Sequence, residues 1–255
     1  MDLTRELAER VVATRFEDIP PSAVEAARRV LIDGLAVMLA GARDPAGVGQ
    51  RITEYARSQG GAPEAGVVSG GFRTSASLAA FANGTFAHAL DFDDTTPPVN
   101  HPGSSAIPAA LALAEREERE GRGLLTAVVV GYEVQGRLRL AAGEVPSGEG
   151  FHKPGVFGLM GAVAAAGKTL ALEASSLCHA FGIAGSRAGS LASNTGTMTK
   201  PTHAGHAARM GVECAELAAL GWTAHPDIFG RGRYGECFFP GEADMSLLLK
   251  DFAAP

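Results

Sequence analysis

Apolar residues recur along this chain mostly at intervals of three and four, the period of one helix face, and almost nowhere alternate at two. Residues 22–41 show the pattern plainly: Val24, Ala27, Val30, Leu31 and Leu35 fall on one side, between Pro20-Pro21-Ser22 and Gly41. Ser22 followed by Glu25 reads as a capping box, in which each side chain satisfies an amide left free in the first turn. Before it, Thr4 is placed to cap a first helix carrying Leu7 and Val11. Asp44-Pro45 opens another, with Pro at the first helical position and an end near Gly60-Gly61. Further helices are predicted over 74–89, 104–120, 124–140, 155–172, 173–185 and about 201–220, with one weak strand over 66–72. The expected fold is all-α: a helical domain over 1–229, then a less regular, marginally packed tail over 230–255.

Composition sharpens this picture. The 255 residues suffice for a real core, and 33 glycines with only 6% aromatics imply helices packed backbone to backbone. A net charge of -6 argues against a nucleic-acid binder, which needs basic surface to neutralise phosphates. Cys178, Cys214 and Cys237 are far apart and form neither a disulfide framework nor a zinc motif, as expected of reduced thiols in a cytoplasmic protein. The charged start, Asp2-Leu3-Thr4-Arg5-Glu6, does not read as a secretory signal. Residues 156–172 are the most apolar stretch, but Lys168 interrupts them, which suits a buried helix better than a membrane span.

The chemistry concentrates in the joints between helices. The first joint runs His88-Ala-Leu-Asp91-Phe-Asp93-Asp94-Thr95, then Asn100-His101-Pro102-Gly103. Three carboxylates so close repel, so one must carry a raised pKa or a cationic partner, and a carboxylate beside a histidine is a natural acid–base pair. The same residues also read as a helix end running into a solvated acidic turn, with His88 a core histidine. A magnesium–diphosphate site would need a second acidic motif downstream, and none is visible. The second joint, Phe151-His152-Lys153-Pro154-Gly155, sets a His and a Lys before a helix start, where free amides favour a carboxylate, or a simple capped turn. In the third, Lys200 precedes a helix start, and His203 and His206 share a helix face without a third metal ligand nearby. Gly161 to Thr169 imitates a phosphate-binding loop, but its spacing is one residue too long and its alanines favour helix.

Taken in order, these pieces resemble the MmgE/PrpD family. The likeness is carried by Asn83-Gly-Thr-Phe-Ala-His-Ala-Leu-Asp-Phe-Asp-Asp-Thr95 with His101-Pro102-Gly103. It continues through Gly131-Tyr132-Glu133-Val134, Phe151-His152 to Gly158, Lys200 to Gly211, and Gly221-Trp222-Thr223-Ala224. The family includes 2-methylcitrate dehydratase, cis-aconitate decarboxylase and iminodisuccinate epimerase. The resemblance implies a lyase that needs no cofactor or metal and acts on a small di- or tricarboxylic acid, with a dicarboxylate epimerase as the alternative. By the same resemblance, Asp91, His101 and Lys200 are the catalytic residues, His101 being oriented by Asp91. Thr95, His152 and Lys200 would hold substrate carboxylates. The resemblance also implies a homodimer and a smaller α+β lid domain beyond the helical one. The likeness runs out near Pro255, where that lid would begin. That leaves a fragment, a lid supplied by a separate polypeptide, or a chain without the activity, and predicts an exposed apolar face where the lid would dock.

Overall fold

A computed structural model describes residues 2–98, 100–145, 150–239, 241 and 243–252. The architecture is helical throughout, as expected. In chain order the longer elements are α1 (Leu3–Ala13), α2 (Pro21–Gly41), α3 (Val48–Gln59), α4 (Ala76–Ala89), α5 (Gly103–Arg116) and α6 (Gly121–Ala141). They are followed by α7 (Leu159–Thr169), α8 (Ala174–Gly185), α9 (Thr199–Ala219) and the short α10 (Tyr234–Phe238). No helix among the described residues is long and apolar enough to cross a membrane.

Helix α4 is the hub: it packs against α9, α5, α2 and α3, while α7 fills the space between α6, α9 and α5. Both α4 and α7 are buried on almost every side, so neither shows the one-sided polarity of a surface helix. Their small residues make this possible. A methyl group at Gly205 of α9 would strike the Phe81 carbonyl and the Thr85 hydroxyl of α4, and one at Gly84 would stand 2.9 Å from the Gly205 Cα. The two backbones therefore touch, which no larger pair would allow. The stretch that imitates a phosphate-binding loop lies within this core as helix α7, with the Lys168 ammonium donating to the Val12 carbonyl at 2.8 Å.

Several boundaries differ from expectation for identifiable reasons. Asp2, not Thr4, caps α1, accepting from the Arg5 amide at 3.0 Å. Thr4 is buried inside the helix, donating to Asp227 at 3.1 Å and accepting from the Phe229 amide at 2.9 Å. The Ser22–Glu25 box does not form, because α2 already starts at Pro21, and Glu25 pairs with Arg29 instead. Helix α3 begins at Val48 rather than Pro45: the Asp44 carboxylate takes the Ala46 and Gly49 amides at 2.9 and 2.7 Å and holds a turn ahead of it. The weak strand reduces to a two-residue hairpin, Ala65–Gly66 with Arg73–Thr74, and residues 67–72 form its loop.

The tail is not marginally packed. Tyr234, Phe239 and Leu248 are buried, the Tyr234 hydroxyl donates to the Val156 carbonyl at 2.9 Å, and Phe239 stacks on Phe157 at 5.3 Å. It thereby backs the segment Pro154–Gly158, a single π-helical turn that leads into α7. Residues 240, 242 and 253–255 of the tail lie outside the described residues.

The α4–α9 contact yields a direct test. Gly205→Ala gains about 1 kcal/mol of helix propensity but forces a methyl into backbone, and overpacking of this kind costs about 1–3 kcal/mol or more. Urea denaturation should show a net loss of stability; an unchanged midpoint would mean the two backbones do not touch.

Candidate active site

The end of α4 builds the first part of the site. The helix stops at Ala89, and Asp91 adopts the left-handed conformation (φ 57°) that terminates helices and reverses the chain. The reversal returns Asp93 beneath His88 on the last turn of α4, with His88 Nδ1 2.9 Å from both carboxylate oxygens. The loop closes on the start of α5, where the Asp94 carboxylate accepts from the Gly103 amide at 3.0 Å. Buried Gln135 of α6 fastens it from behind, accepting from the Asn100 amide group at 3.2 Å and donating to the Pro102 carbonyl at 3.1 Å. His101 is thereby held with Nδ1 3.3 Å from Asp93 Oδ2. Its N–H is not well aligned for a hydrogen bond, so the contact acts chiefly as an ion pair.

The other joints meet this one. Lys200, in the first turn of α9, reaches Asp91 Oδ1 at 2.5 Å. His152 is clamped through its backbone amide to the Ser190 carbonyl at 2.7 Å. Its ring lies 5.4 Å from that of His88 and 5.2 Å from that of His203, with the two Nδ1 atoms of His152 and His203 3.1 Å apart. Four imidazoles, two carboxylates and one ammonium thus form one continuous cluster.

The structure brings Asp91, His101, His152 and Lys200 together, but it changes who pairs with whom. His101 rests against Asp93, not Asp91, because the left-handed turn sends Asp91 outward to Lys200 and Asp93 inward. Thr95 is exposed, and no described residue is hydrogen-bonded to its hydroxyl. His203 and His206 do not act together: His203 is buried against His152, while His206 is exposed. Sequence reading assigned no site role to Asp93, His88 or His203. The crowding of carboxylates next to a histidine was the available signal, but it does not say which carboxylate turns inward.

The charges settle accordingly. Burial would raise the Asp93 carboxyl, but His101 and His88 outweigh it and hold the group well below the usual carboxylate range. Contact with Asp93 in turn raises His101 above its ordinary value, against the opposing effect of burial. Burial likewise works to raise Asp91, yet Lys200 brings it below the normal range. Asp94 goes the other way: burial pushes it up to about 6, only partly offset by the Gly103 amide and by the Tyr132 hydroxyl, which lies close without a well-formed hydrogen bond. His152 falls to about 3 through burial and the cations around it, so at neutral pH it is an uncharged imidazole. It can therefore hold an anion only by hydrogen bonding, not by charge.

Among the described residues, His88, Asp91, Asp93 and His101 form the one group with donor atoms close enough to share a metal ion, all within 4.8 Å of one another. The fit is poor as it stands. The Lys200 ammonium already occupies Asp91, and a cation there would face its full charge.

Comparison with known proteins identifies the family of the chain. Residues 5–243 match the MmgE/PrpD N-terminal domain. The chain belongs to the MmgE/PrpD family. It is 34% identical to the cis-aconitate decarboxylase of Mus musculus over 260 residues, which cover 96% of this chain and 51% of that protein. It is 41% identical to the cis-aconitate decarboxylase of Homo sapiens over 186 residues, 67% of this chain and 38% of that one. The cis-aconitate decarboxylase of Aspergillus terreus is 29% identical over 242 residues, 91% of this chain and 49% of its own. This MmgE/PrpD chain thus spans about half the length of relatives it matches almost end to end.

Asp93 and His101 stabilise the fold as a pair, and the sign of each shift defines the window. Asp93 is lowered, so its contribution is present above the ordinary carboxylate value and lost on acidification. His101 is raised, so its contribution is complete below about 6.5 and lost as pH rises through the folded value. In Asp93→Asn, burial and Lys200 act on His101 against Asp91 only, and its NMR titration midpoint should drop to or below that of a free histidine. An unmoved midpoint would show that Asp93 does not charge His101.

Proposed function

We propose that this chain carries the acid–base half of a lyase acting on a small di- or tricarboxylic acid, with decarboxylation of a cis-aconitate-like substrate as the best-supported reaction. One observation carries the reading: His101, raised by an inward carboxylate, shares a cluster with the half-buried Lys200. The relatives named for cis-aconitate decarboxylation support the substrate class.

Loss of carbon dioxide breaks a carbon–carbon bond and leaves its electron pair on carbon, delocalised toward a neighbouring carboxylate. That intermediate needs a proton at carbon and positive charge at oxygen. A protonated His101 is suited to give the proton, and Asp93 stabilises the imidazolium and fixes the ring. Lys200 is placed to balance the developing charge, with Asp91 keeping its ammonium in position until substrate displaces the contact. His152 offers a neutral hydrogen bond to a second carboxylate, and Thr95 stands at the rim to contact substrate. A hydro-lyase or an epimerase could use the same proton donor. A metal or cofactor has no part in this scheme, and a homodimer remains the proposed assembly.

A second reading, a half-enzyme that needs a separate lid polypeptide, is favoured by exposed apolar side chains on the site loops. Phe92 is 74% exposed, Leu191 56% and Met198 44%, and Asp91 itself is open to solvent. Both readings meet in one assay: cis-aconitate turnover by the chain alone and with a polypeptide spanning the second half of a longer relative. His101→Ala should lower kcat by about 10²-fold or more, the scale of a lost general acid. Because the acid form is required, kcat should fall as pH rises through the raised His101 value. Activity that survives His101→Ala would overturn the assignment.

A further inference from the structure

The hydrogen bond between His152 and His203 has no part in the scheme for His101 and Lys200, and its direction has chemical consequences. Two Nδ1 atoms 3.1 Å apart can share one proton only: one ring donates, and the other must present a bare lone pair. Two imidazolium rings would both donate and repel. The surroundings disfavour that state, since burial, aided by the Lys200 ammonium, lowers both rings below an ordinary histidine. At neutral pH the pair is uncharged and one of two tautomers.

Geometry ties the pair to the site. His203 lies three residues after Lys200, on the same face of α9. The first turn of α9 thus addresses two loops at once, Lys200 gripping Asp91 and His203 gripping His152. The hydrogen bond from the His152 backbone amide to the Ser190 carbonyl holds the segment that carries the ring. With Nδ1 committed to His203, only Nε2 of His152 is left for a ligand. If His152 were the donor, that Nε2 would be a lone pair, repelling any carboxylate that Lys200 attracts. If His203 is the donor, Nε2 carries a hydrogen and binds the carboxylate.

We propose that His203 is a positioning residue: by donating from Nδ1 to His152 Nδ1, it fixes His152 as the tautomer whose Nε2–H faces a substrate carboxylate. His152 then serves as an uncharged donor, and its specificity for an anion is set by a residue that need not touch the substrate. The role in catalysis rests on the lyase reading above; the direction of the hydrogen bond does not.

The test is NMR on ¹⁵N-histidine-labelled protein at neutral pH. A scalar coupling should appear across the Nδ1···Nδ1 contact, with the shared proton bonded to His203 and the single N–H proton of the His152 ring on Nε2. A shared proton on His152, or no coupling, overturns the proposal. Variants then separate position from packing. Asn places an amide where the histidine Nδ1 stood, so His203→Asn should keep a single His152 Nε2–H state, whereas His203→Phe fills the space without a donor and should leave His152 a mixture of both tautomers, read as intermediate Nδ1 and Nε2 shifts. Cis-aconitate affinity should fall about tenfold or more in His203→Phe and far less in His203→Asn, the scale of one hydrogen bond to a charged group. Equal losses in both variants would reduce His203 to a packing role. If wild-type protein neither binds nor turns over cis-aconitate, the lyase reading fails while the coupling still decides the tautomer.

Discussion

The backbone contact between α4 and α9 is the constraint on which the site depends. Gly84 and Gly205 let the two helices meet without side chains between them, and the helices run antiparallel from that point. Residues that follow Gly84 on α4 therefore face residues that precede Gly205 on α9. His88 and Asp91 come opposite His203 and Lys200 for this reason, although more than a hundred positions separate them in the chain. A shift of one residue in either helix would turn the facing side chains by about 100° and scatter the cluster.

A second constraint acts on the loop between α4 and α5. Its ends are fixed by two rigid helices, and its middle is tied by Asp94 to the Gly103 amide and by Gln135 to Asn100 and Pro102. Only within that frame does the left-handed Asp91 decide which carboxylate enters and which leaves. The inward one becomes strongly acidic and charges His101. The outward one keeps Lys200 in place. Asp94, buried without a cation, is left near pH 6 as the cost of closing the loop. Three adjacent carboxylates thus occupy three different electrostatic states, each traceable to the group that it touches.

The tail completes the arrangement from behind. Its aromatic residues pack against Phe151 and Phe157, and the Tyr234 hydroxyl donates to the Val156 carbonyl. This braces the π-helical turn after His152, an irregular segment that needs support to hold one conformation. His152 is therefore held by three separate pieces of chain, which suits a residue whose tautomer matters.

Much of this protein was legible in its sequence. The three-and-four spacing of apolar residues gave the helices, because burial on one face imposes that period whatever the neighbours are, and the density of glycine foretold backbone contact. The ordered motifs brought Asp91, His101, His152 and Lys200 forward, since few residue types can move protons or hold carboxylates. Helix starts were read less well: Thr4 and Ser22 look like caps, but the fold had buried uses or earlier prolines that local pattern does not reveal. The pairing inside the cluster was beyond the sequence altogether. Whether His101 meets Asp91 or Asp93 depends on one left-handed residue, and whether His203 meets His152 depends on the crossing of α4 and α9. Chemical identity is written locally, but charge state and tautomer belong to contacts, and contacts exist only once the chain has packed.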